Sequence, residues 1–360
     1  MGDYKIHFED NKTTNGQSFY KTLYNKLKIR QSKKYNVVLF NISTNLWDII
    51  KNKLKGKTIV VRVAALYFDK YESESSMKTS FTVNLFCKTL KKFGFSNALV
   101  SDVYNFFNRN YGVFIRVIFA DYLIHQSNFS KKIMNRYFKH KPSTVIPNGA
   151  LNRINGRLIK KEKRSFQLLT VYDSNRLSKR IYDLLNFVEY ANTNNFPCEL
   201  TVLGFDGKIC PNYPKDFLKL LDSDNIILVP KFNEIDEHIS EYYYKSDAFI
   251  TFTYRDACPN IIVEAMSFSL PVIAFDSGGI RDLIPDNIGL LKLNDVSNYH
   301  VPHRYCHKFP KIHYKNVLKS LRSVEDDPLS YKNKIENIFL NKLEINKVAD
   351  AYDLFLKNIN

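Results

Sequence analysis

The sequence has few of the residues that mark several common classes of protein. Its five cysteines are odd in number and lie far apart, so we expect reduced thiols rather than a disulfide framework or a zinc ribbon. Twelve glycines and twelve prolines among 360 residues exclude a collagen-like or low-complexity chain. No apolar run approaches the ~20 residues of a membrane-spanning helix, and the first residues lack the pattern of a signal peptide. The expected location is the cytoplasm.

Acidic residues are scarce in the first half of the chain. Residues 1–150 hold 25 Lys and Arg against 9 Asp and Glu, a balance of +16 out of a net charge of +17. This asymmetry predicts an anionic partner for the first half: a nucleic acid, an anionic membrane surface at the inner face of the cell membrane, or a phosphorylated acceptor. Solvated lysine without any such partner is the alternative explanation.

Apolar residues are abundant enough, at 44%, to fill large cores, and a single core stops growing at roughly 250–300 residues, so the length predicts two domains. Short β-branched runs alternate with amphipathic helical runs. Strands are predicted over 36–42, 58–63, 120–125, 144–146, 166–171, 199–203, 226–229, 248–252 and 272–275. Helices are predicted over 17–29, 128–138, 179–191, 234–245 and 259–268, and a long helical pattern over roughly 330–358. This alternation predicts an α/β fold with two doubly wound, Rossmann-like parallel-sheet domains that face each other across a cleft.

The composition along the chain also suggests where these domains meet. We expect a basic first domain over 1–150, a polar and basic linker over 151–165, and a second domain over 166–330. Residues 331–360 are expected to form a C-terminal helix.

The stretch 251–283 carries the most specific pattern in the sequence. Pro259 suits the first turn of a helix, and that turn leaves backbone N–H groups free to bind phosphate. Asp256 and Glu264 flank this helix start, eight residues apart. Carboxylates that accept hydrogen bonds from hydroxyls, beside N–H groups that bind phosphate, suit a nucleotide sugar.

The same stretch resembles the family 4 retaining glycosyltransferases of the GT-B fold, whose hallmark is Glu-x7-Glu, then Ala, Pro-Val-Ile and a Gly-Gly turn. Here the pattern reads Asp256-x7-Glu264, Ala265, Pro271-Val272-Ile273 and Gly278-Gly279. The variant that begins with Asp looks like members acting in surface-polysaccharide and O-antigen assembly. Residues 120–127, 145–149 (VIPNG) and 171–180 resemble further segments of the family, so the resemblance covers roughly 120–293.

The resemblance implies an architecture and a role for particular residues. The architecture is GT-B, with the C-terminal helix packing back toward the first domain. Glu264 would accept hydrogen bonds from the donor ribose and Asp256 from the transferred sugar, while Lys179, aided by Arg176, would neutralise the diphosphate leaving group. The implied donor-binding residues are Asn260, Ile261, Gly204, Gly278 and Gly279, and the acceptor-side residues are Gly16, Gln17 and Arg62. The structural alternatives are surface or N-cap acids, solvated cations and simple turns.

The implied activity is transfer of a sugar from a UDP- or GDP-sugar to a glycan or polyprenyl-diphosphate-linked acceptor, with retention of configuration. No cofactor is expected. No histidines at H-x-x-x-H spacing have acids nearby and no Asp-x-Asp pair suits a divalent ion, which predicts independence from metal. Many relatives carry Arg-x-Asp-Gly where this chain has Arg62-Val63-Ala64-Ala65, so a catalytically degenerate binding or scaffold protein stays an alternative. His125, in another strand, is expected to be a packed residue.

Two further alternatives come from the charge and from the two acids. A nucleic-acid-binding protein would explain the basic half, although no RNP1 or zinc-finger pattern is present. A glycosidase would use the two acids as its catalytic pair, but acids beside a phosphate site suit transfer better than hydrolysis.

Overall fold

The computed structural model describes residues 4–7, 15–64, 81–94, 100, 103, 106–154, 165–172, 177–207, 213–232, 235, 237–284, 289–291 and 309–359. These residues form two parallel sheets, each with helices on both faces. The fold class predicted from the sequence is therefore confirmed.

The first sheet contains five parallel strands in the order in which they occur in the chain. They are β1 (Tyr4–Ile6), β2 (Val37–Asn41), β3 (Thr58–Val63), β4 (Tyr122–His125) and β5 (Ser143–Val145). The helices between them are α1 (Asn15–Leu27), α2 (Leu46–Leu54), α3 (Phe81–Lys92), α4 (Tyr111–Phe119) and α5 (Asn128–Phe138). The central strands are β-branched and buried on both faces, as expected for parallel strands covered by helices.

The second sheet contains six parallel strands in the order β11-β10-β9-β6-β7-β8. They are β6 (Phe166–Val171), β7 (Cys198–Phe205), β8 (Ile226–Pro230), β9 (Ala248–Thr251), β10 (Val272–Phe275) and β11 (Leu290–Leu291). Its helices are α6 (Ile181–Thr193), α7 (Phe217–Leu221), α8 (Glu237–Lys245), α9 (Asn260–Met266), α10 (Ile280–Leu283), α11 (Tyr314–Asp326) and α12 (Pro328–Ile338).

The order of the second sheet changes direction between β6 and β9, and we call this position the switch point. Chain order runs outward from β6 through β7 to β8 on one side, and from β9 through β10 to β11 on the other. Loops that leave the carboxyl ends of two such strands diverge and open a crevice, where open α/β sheets bind their ligands.

The end of the chain returns to the first sheet. Helix α13 (Ile345–Lys357) buries Tyr352 and Leu356 in the same core as Tyr4 and Phe19. The long helix predicted over 330–358 is therefore wrong as a single element: a π-type turn at Phe339–Leu343 and the extended Glu344 separate α12 from α13. The break has a packing reason, because α12 packs on the second sheet and α13 on the first.

A second correction concerns the start of α6. The helix predicted from 179 begins at Ile181, after a 3-10 turn at Leu177–Lys179. Arg180 separates the two because its backbone is left-handed, with φ 54°, which an α-helix does not accommodate. Lys179 is thereby held outside the helix.

Candidate functional site

Two oppositely charged side chains meet at the switch point. Lys179 ends the turn that follows β6, and Asp256 lies in the loop after β9. Lys179 Nζ lies 3.0 Å from Asp256 Oδ2, and the two side chains are only 9% and 23% exposed. The backbone N–H of Tyr254 also donates to the carbonyl oxygen of Ser178 at 2.8 Å, so the main chains of the two loops are joined. The structure thus brings together the two predicted charges at the place where such sheets bind ligands.

The loop around Asp256 is fixed by its own hydrogen bonds and by the glycine turn. Asp256 Oδ1 accepts a hydrogen bond from the backbone N–H of Cys258 at 3.1 Å. The backbone carbonyl oxygen of Asp256 accepts one from the backbone N–H of Gly279 at 2.8 Å. A Cβ at Gly278, whose φ is 65°, would lie 2.3 Å from the Asp256 carbonyl oxygen, and one at Gly279 only 1.8 Å from that of Ala257. Both positions therefore require glycine to hold this loop, whereas their predicted donor contacts stay a prediction.

Glu264 lies on α9 one turn beyond the loop and is half-buried. Burial raises the pKa of its carboxyl group, and the nearby positive charge of Arg153 partly opposes this shift. No hydrogen-bond donor to the carboxylate is found among the residues that the structure describes. The carboxylate is therefore able to accept hydrogen bonds from a ligand hydroxyl, which is the chemistry predicted for it.

Asn260 and Arg62 lie in one hydrogen-bonded network that crosses between the sheets. Asn260 begins α9, and its Oδ1 accepts from Asn148 Nδ2 at 2.6 Å. Asn148 Oδ1 in turn accepts from the Arg62 guanidinium, which also donates to Asn41 Oδ1 at 3.2 Å. The guanidinium carbon lies 4.8 Å from the centre of the Phe19 ring, and Arg62 is only 3% exposed. Arg62, expected on the acceptor side, is thus buried among protein groups.

The remaining predicted positions lie on several different elements. Ile261 is half-buried in the first turn of α9. Gly204 has a φ of 83° at an irregularity in the pairing of β7 with β8. Gly16 and Gln17 lie in the first turn of α1, whereas Arg176 lies outside the described residues.

Three contributing residues were not predicted as site residues. Asn148 joins Arg62 to Asn260 in the hydrogen-bonded network. It belongs to the VIPNG motif, which was used only as part of the family resemblance. Arg153 acts on the pKa of Glu264. Asp282 accepts hydrogen bonds from the backbone and side-chain nitrogens of Asn128 at 2.7 and 2.8 Å, which joins the start of α5 to α10. No local pattern marks this last contact, since its partners are 154 positions apart.

Comparison with known sequences finds similarity to glycosyltransferases. Residues 170–300 match the family described as glycosyl transferases group 1. An uncharacterized glycosyltransferase of Haemophilus influenzae is 25% identical over 275 residues, which cover 72% of this chain and 67% of that protein. The family match over 170–300 includes the ion pair and the glycine turn.

Solved structures share the architecture at low sequence identity. A glycosyltransferase from Rickettsia africae superposes with a TM-score of 0.59 at 13% identity, covering 98% of this chain and 84% of that one. HepE from Anabaena in complex with UDP gives 0.59 at 11% identity, covering 97% and 85%. Sucrose-phosphate synthase from Thermosynechococcus elongatus gives 0.58 at 13% identity, covering 96% and 79%. The chain has the two-domain GT-B fold, and its match to the group 1 glycosyl transferases over 170–300 supports a glycosyltransferase.

Proposed function

We propose that the chain is a retaining glycosyltransferase that takes its sugar from a nucleoside-diphosphate sugar, with UDP or GDP as the nucleotide. The observation that carries the proposal is the Lys179–Asp256 ion pair at the switch point, inside the segment that matches the family. Two structural neighbours, HepE and the pneumococcal O-GlcNAc transferase GtfA, form complexes with UDP, which supports a nucleotide donor here as well.

The chemistry follows from the charges at the switch point. Departure of a nucleoside diphosphate concentrates negative charge on its phosphates, and a fixed ammonium group stabilises that charge. Before the donor binds, Lys179 and Asp256 satisfy each other. When it binds, a diphosphate oxygen accepts from Lys179 and a sugar hydroxyl donates to Asp256, so neither buried charge is left without a partner. Arg176 adds positive charge to the same group in this proposal.

Glu264 completes the donor site by accepting hydrogen bonds from the ribose hydroxyls. Its carboxylate offers two acceptor atoms, and the described residues do not occupy them. Retention of configuration and independence from metal belong to the proposal, with Lys179 supplying the charge that a divalent ion would otherwise bring. The acceptor is proposed to be a glycan or a lipid-linked sugar of surface-polysaccharide synthesis, bound from the side of the basic first sheet.

Titration calorimetry with UDP, GDP and their sugars tests the donor site. One nucleotide is expected to bind, and Lys179→Ala should weaken it about 10- to 100-fold, because a hydrogen bond to a charged group contributes roughly 1.5–3 kcal/mol. Lys245→Ala is the matched control, since Lys245 is exposed on α8 and pairs with Glu241. The donor site is wrong if Lys179→Ala binds like the wild-type protein or if neither nucleotide binds.

Turnover separates an enzyme from a degenerate relative. An active transferase slowly releases nucleoside diphosphate from its true donor even without acceptor, and the anomeric configuration of a transferred sugar is visible by NMR. Activity should persist in EDTA. Binding of a nucleotide sugar without any release would favour the binding or scaffold alternative.

A further inference from the structure

A cluster of exposed apolar side chains lies on one outer face of the first domain. We call it the aromatic face. It consists of Leu85, Phe86 and Phe93 from α3 and the turn after it, Phe106 and Phe107 from the π-type turn before α4, Tyr111 and Ile118 from α4, and Tyr137 from α5. Each of these side chains is exposed.

The rings of Phe86, Phe106, Phe107 and Tyr111 contact one another and form a continuous surface. The ring centres of Phe86 and Phe107 are 6.5 Å apart, and those of Phe106 and Phe107 are 5.3 Å apart. Phe114 extends the chain of contacts, since its ring lies 5.3 Å from Phe106 and 5.2 Å from Tyr137. Three helices and a turn therefore contribute to one patch, which is larger than the scattered apolar residues of an ordinary surface.

The aromatic face is distinct from the side of these helices that packs into the core. On α4, Tyr111 and Ile118 are exposed seven positions apart, while Val113 and Val117 are buried against the sheet. On α3, Cys87 is buried between exposed neighbours. The helices are thus apolar on two sides, and only the inner side is explained by the fold.

The helices and the turn that carry the aromatic face are basic. Helices α3, α4 and α5 and the turn at Phe106–Asn110 contain no Asp or Glu. Exposed Lys88, Lys91 and Lys92 lie on α3, and exposed Lys139 follows α5 directly. Over 81–141 the sequence holds ten Lys and Arg against two Asp. A second copy of this face would oppose like charges, whereas an anionic surface complements them.

We propose that the aromatic face docks on the surface of an anionic lipid bilayer. Aromatic rings of this kind settle at the level of the lipid headgroups, and lysines beside them bind the lipid phosphates. None of the helices in the described ranges has the length and apolar character needed to cross a bilayer, so the contact is with the surface. The proposal is independent of the transferase activity and stands if the donor site is wrong.

Co-sedimentation with vesicles tests the proposal on the full chain. The protein should bind vesicles of phosphatidylcholine mixed with an equal part of phosphatidylglycerol, and bind pure phosphatidylcholine at least about tenfold more weakly, since each lysine near an anionic surface contributes about 1 kcal/mol. The double variant Phe86→Ser, Phe107→Ser and the triple variant Lys88→Gln, Lys91→Gln, Lys92→Gln should each lose about tenfold or more in binding to the mixed vesicles.

The controls replace exposed apolar or basic side chains elsewhere on the surface. Leu329→Ser removes an exposed apolar side chain from α12, and Lys311→Gln, Lys315→Gln, Lys319→Gln removes three exposed lysines at and near α11. Both should bind the mixed vesicles like the wild-type protein, and near-ultraviolet circular dichroism checks that every variant is folded. Equal losses in test and control variants would overturn the proposal. So would wild-type binding to duplex DNA without binding to vesicles, or a dimer in solution that only the aromatic variant dissociates.

Discussion

A carboxylate on a buried helical turn opposes folding while it provides an acceptor for a ligand. Burial raises the pKa of Glu264, so the folded protein holds that proton more tightly than the unfolded chain does. The associated stability is present below the ordinary pKa of 4.5 and is lost as the pH rises through the higher folded value. Function and stability therefore make opposite demands on this position.

Replacing this acid with its amide separates the two demands. Glu264→Gln should raise the free energy of unfolding at pH 7 relative to the wild-type protein, with little difference at pH 4, and should weaken binding of the nucleotide sugar. Urea unfolding at both pH values measures the first effect, and calorimetry the second. Glu189→Gln, which changes an exposed acid on α6, should leave both unchanged. A variant less stable than wild type at pH 7 would show that the carboxylate has a stabilising partner.

The burial of His125 predicts that stability depends on pH in the opposite direction at this position. The ring is fully buried at the end of β4, and neither nitrogen has a hydrogen-bond partner among the described residues. Burial, with a smaller effect of Lys131, lowers its pKa from 6.5 to about 4, so the folded protein resists protonation of this ring. Stability should fall as the pH falls from 6.5 toward 4, by up to about 3 kcal/mol.

An apolar substitution of similar size should remove this loss. His125→Met is expected to be as stable as the wild-type protein at pH 7 and to lose less stability toward pH 4, as measured by urea unfolding across this range. His140→Gln, at an exposed position after α5, should keep the wild-type profile. If His125→Met and the wild-type protein lose the same stability between pH 6.5 and 4, groups other than His125 cause the loss.

At the scale of elements, α13 acts as a structural helix of a domain that is distant in sequence. Leu356 is fully buried against the first sheet, whereas Leu354 on the same helix is 65% exposed. Leu356→Ala should lower the free energy of unfolding by roughly 2–5 kcal/mol, because truncation of a buried leucine leaves a cavity. Leu354→Ala should change it by less than about 0.5 kcal/mol in the same urea titration. Equal effects of the two changes would mean that the helix does not pack as described.

The elements that could be predicted were those with a strong local pattern. Strands Thr58–Val63, Phe166–Val171 and Val272–Phe275 have the predicted bounds, because each is a β-branched or apolar run closed by polar, glycine or proline residues. Strand β1 was missed, since three residues with an exposed lysine in the middle give no periodicity. The break between α12 and α13 was missed for another reason: helical periodicity does not reveal which sheet each half packs against.

The site could be predicted only in part, because local patterns do not encode contacts between residues that are distant in sequence. The positions of Lys179 and Asp256 followed from strand ends and a motif, and the structure brings the two together. Arg62 lies within β3, and only the family resemblance placed it on the acceptor side. Its burial depends on Asn148, 86 positions away, and no local pattern encodes such a contact.

At the scale of the whole molecule, the Arg62–Asn148–Asn260 network couples the two domains. Asn148→Ala would remove one hydrogen-bond partner from the buried Arg62 and one from the half-buried Asn260, at a cost of roughly 1–3 kcal/mol for each group. We expect the wild-type protein to unfold in a single calorimetric transition and the Asn148→Ala variant to unfold in two, one for each domain. Asn186→Ala, which removes a bond within α6 to the Tyr182 carbonyl, should keep one transition. A single unshifted transition for Asn148→Ala would show that other contacts provide the coupling.

The position of α13 after the second sheet in the chain has a consequence for biosynthesis. The ribosome completes all strands of the first sheet by residue 145, but the helix that seals one side of its core is translated only after the whole second sheet. Until then, apolar side chains of β1 and α1 face water on the nascent chain. The domain that is made first is therefore the last to mature, and chaperones that shield newly emerging polypeptides have a defined stretch to protect.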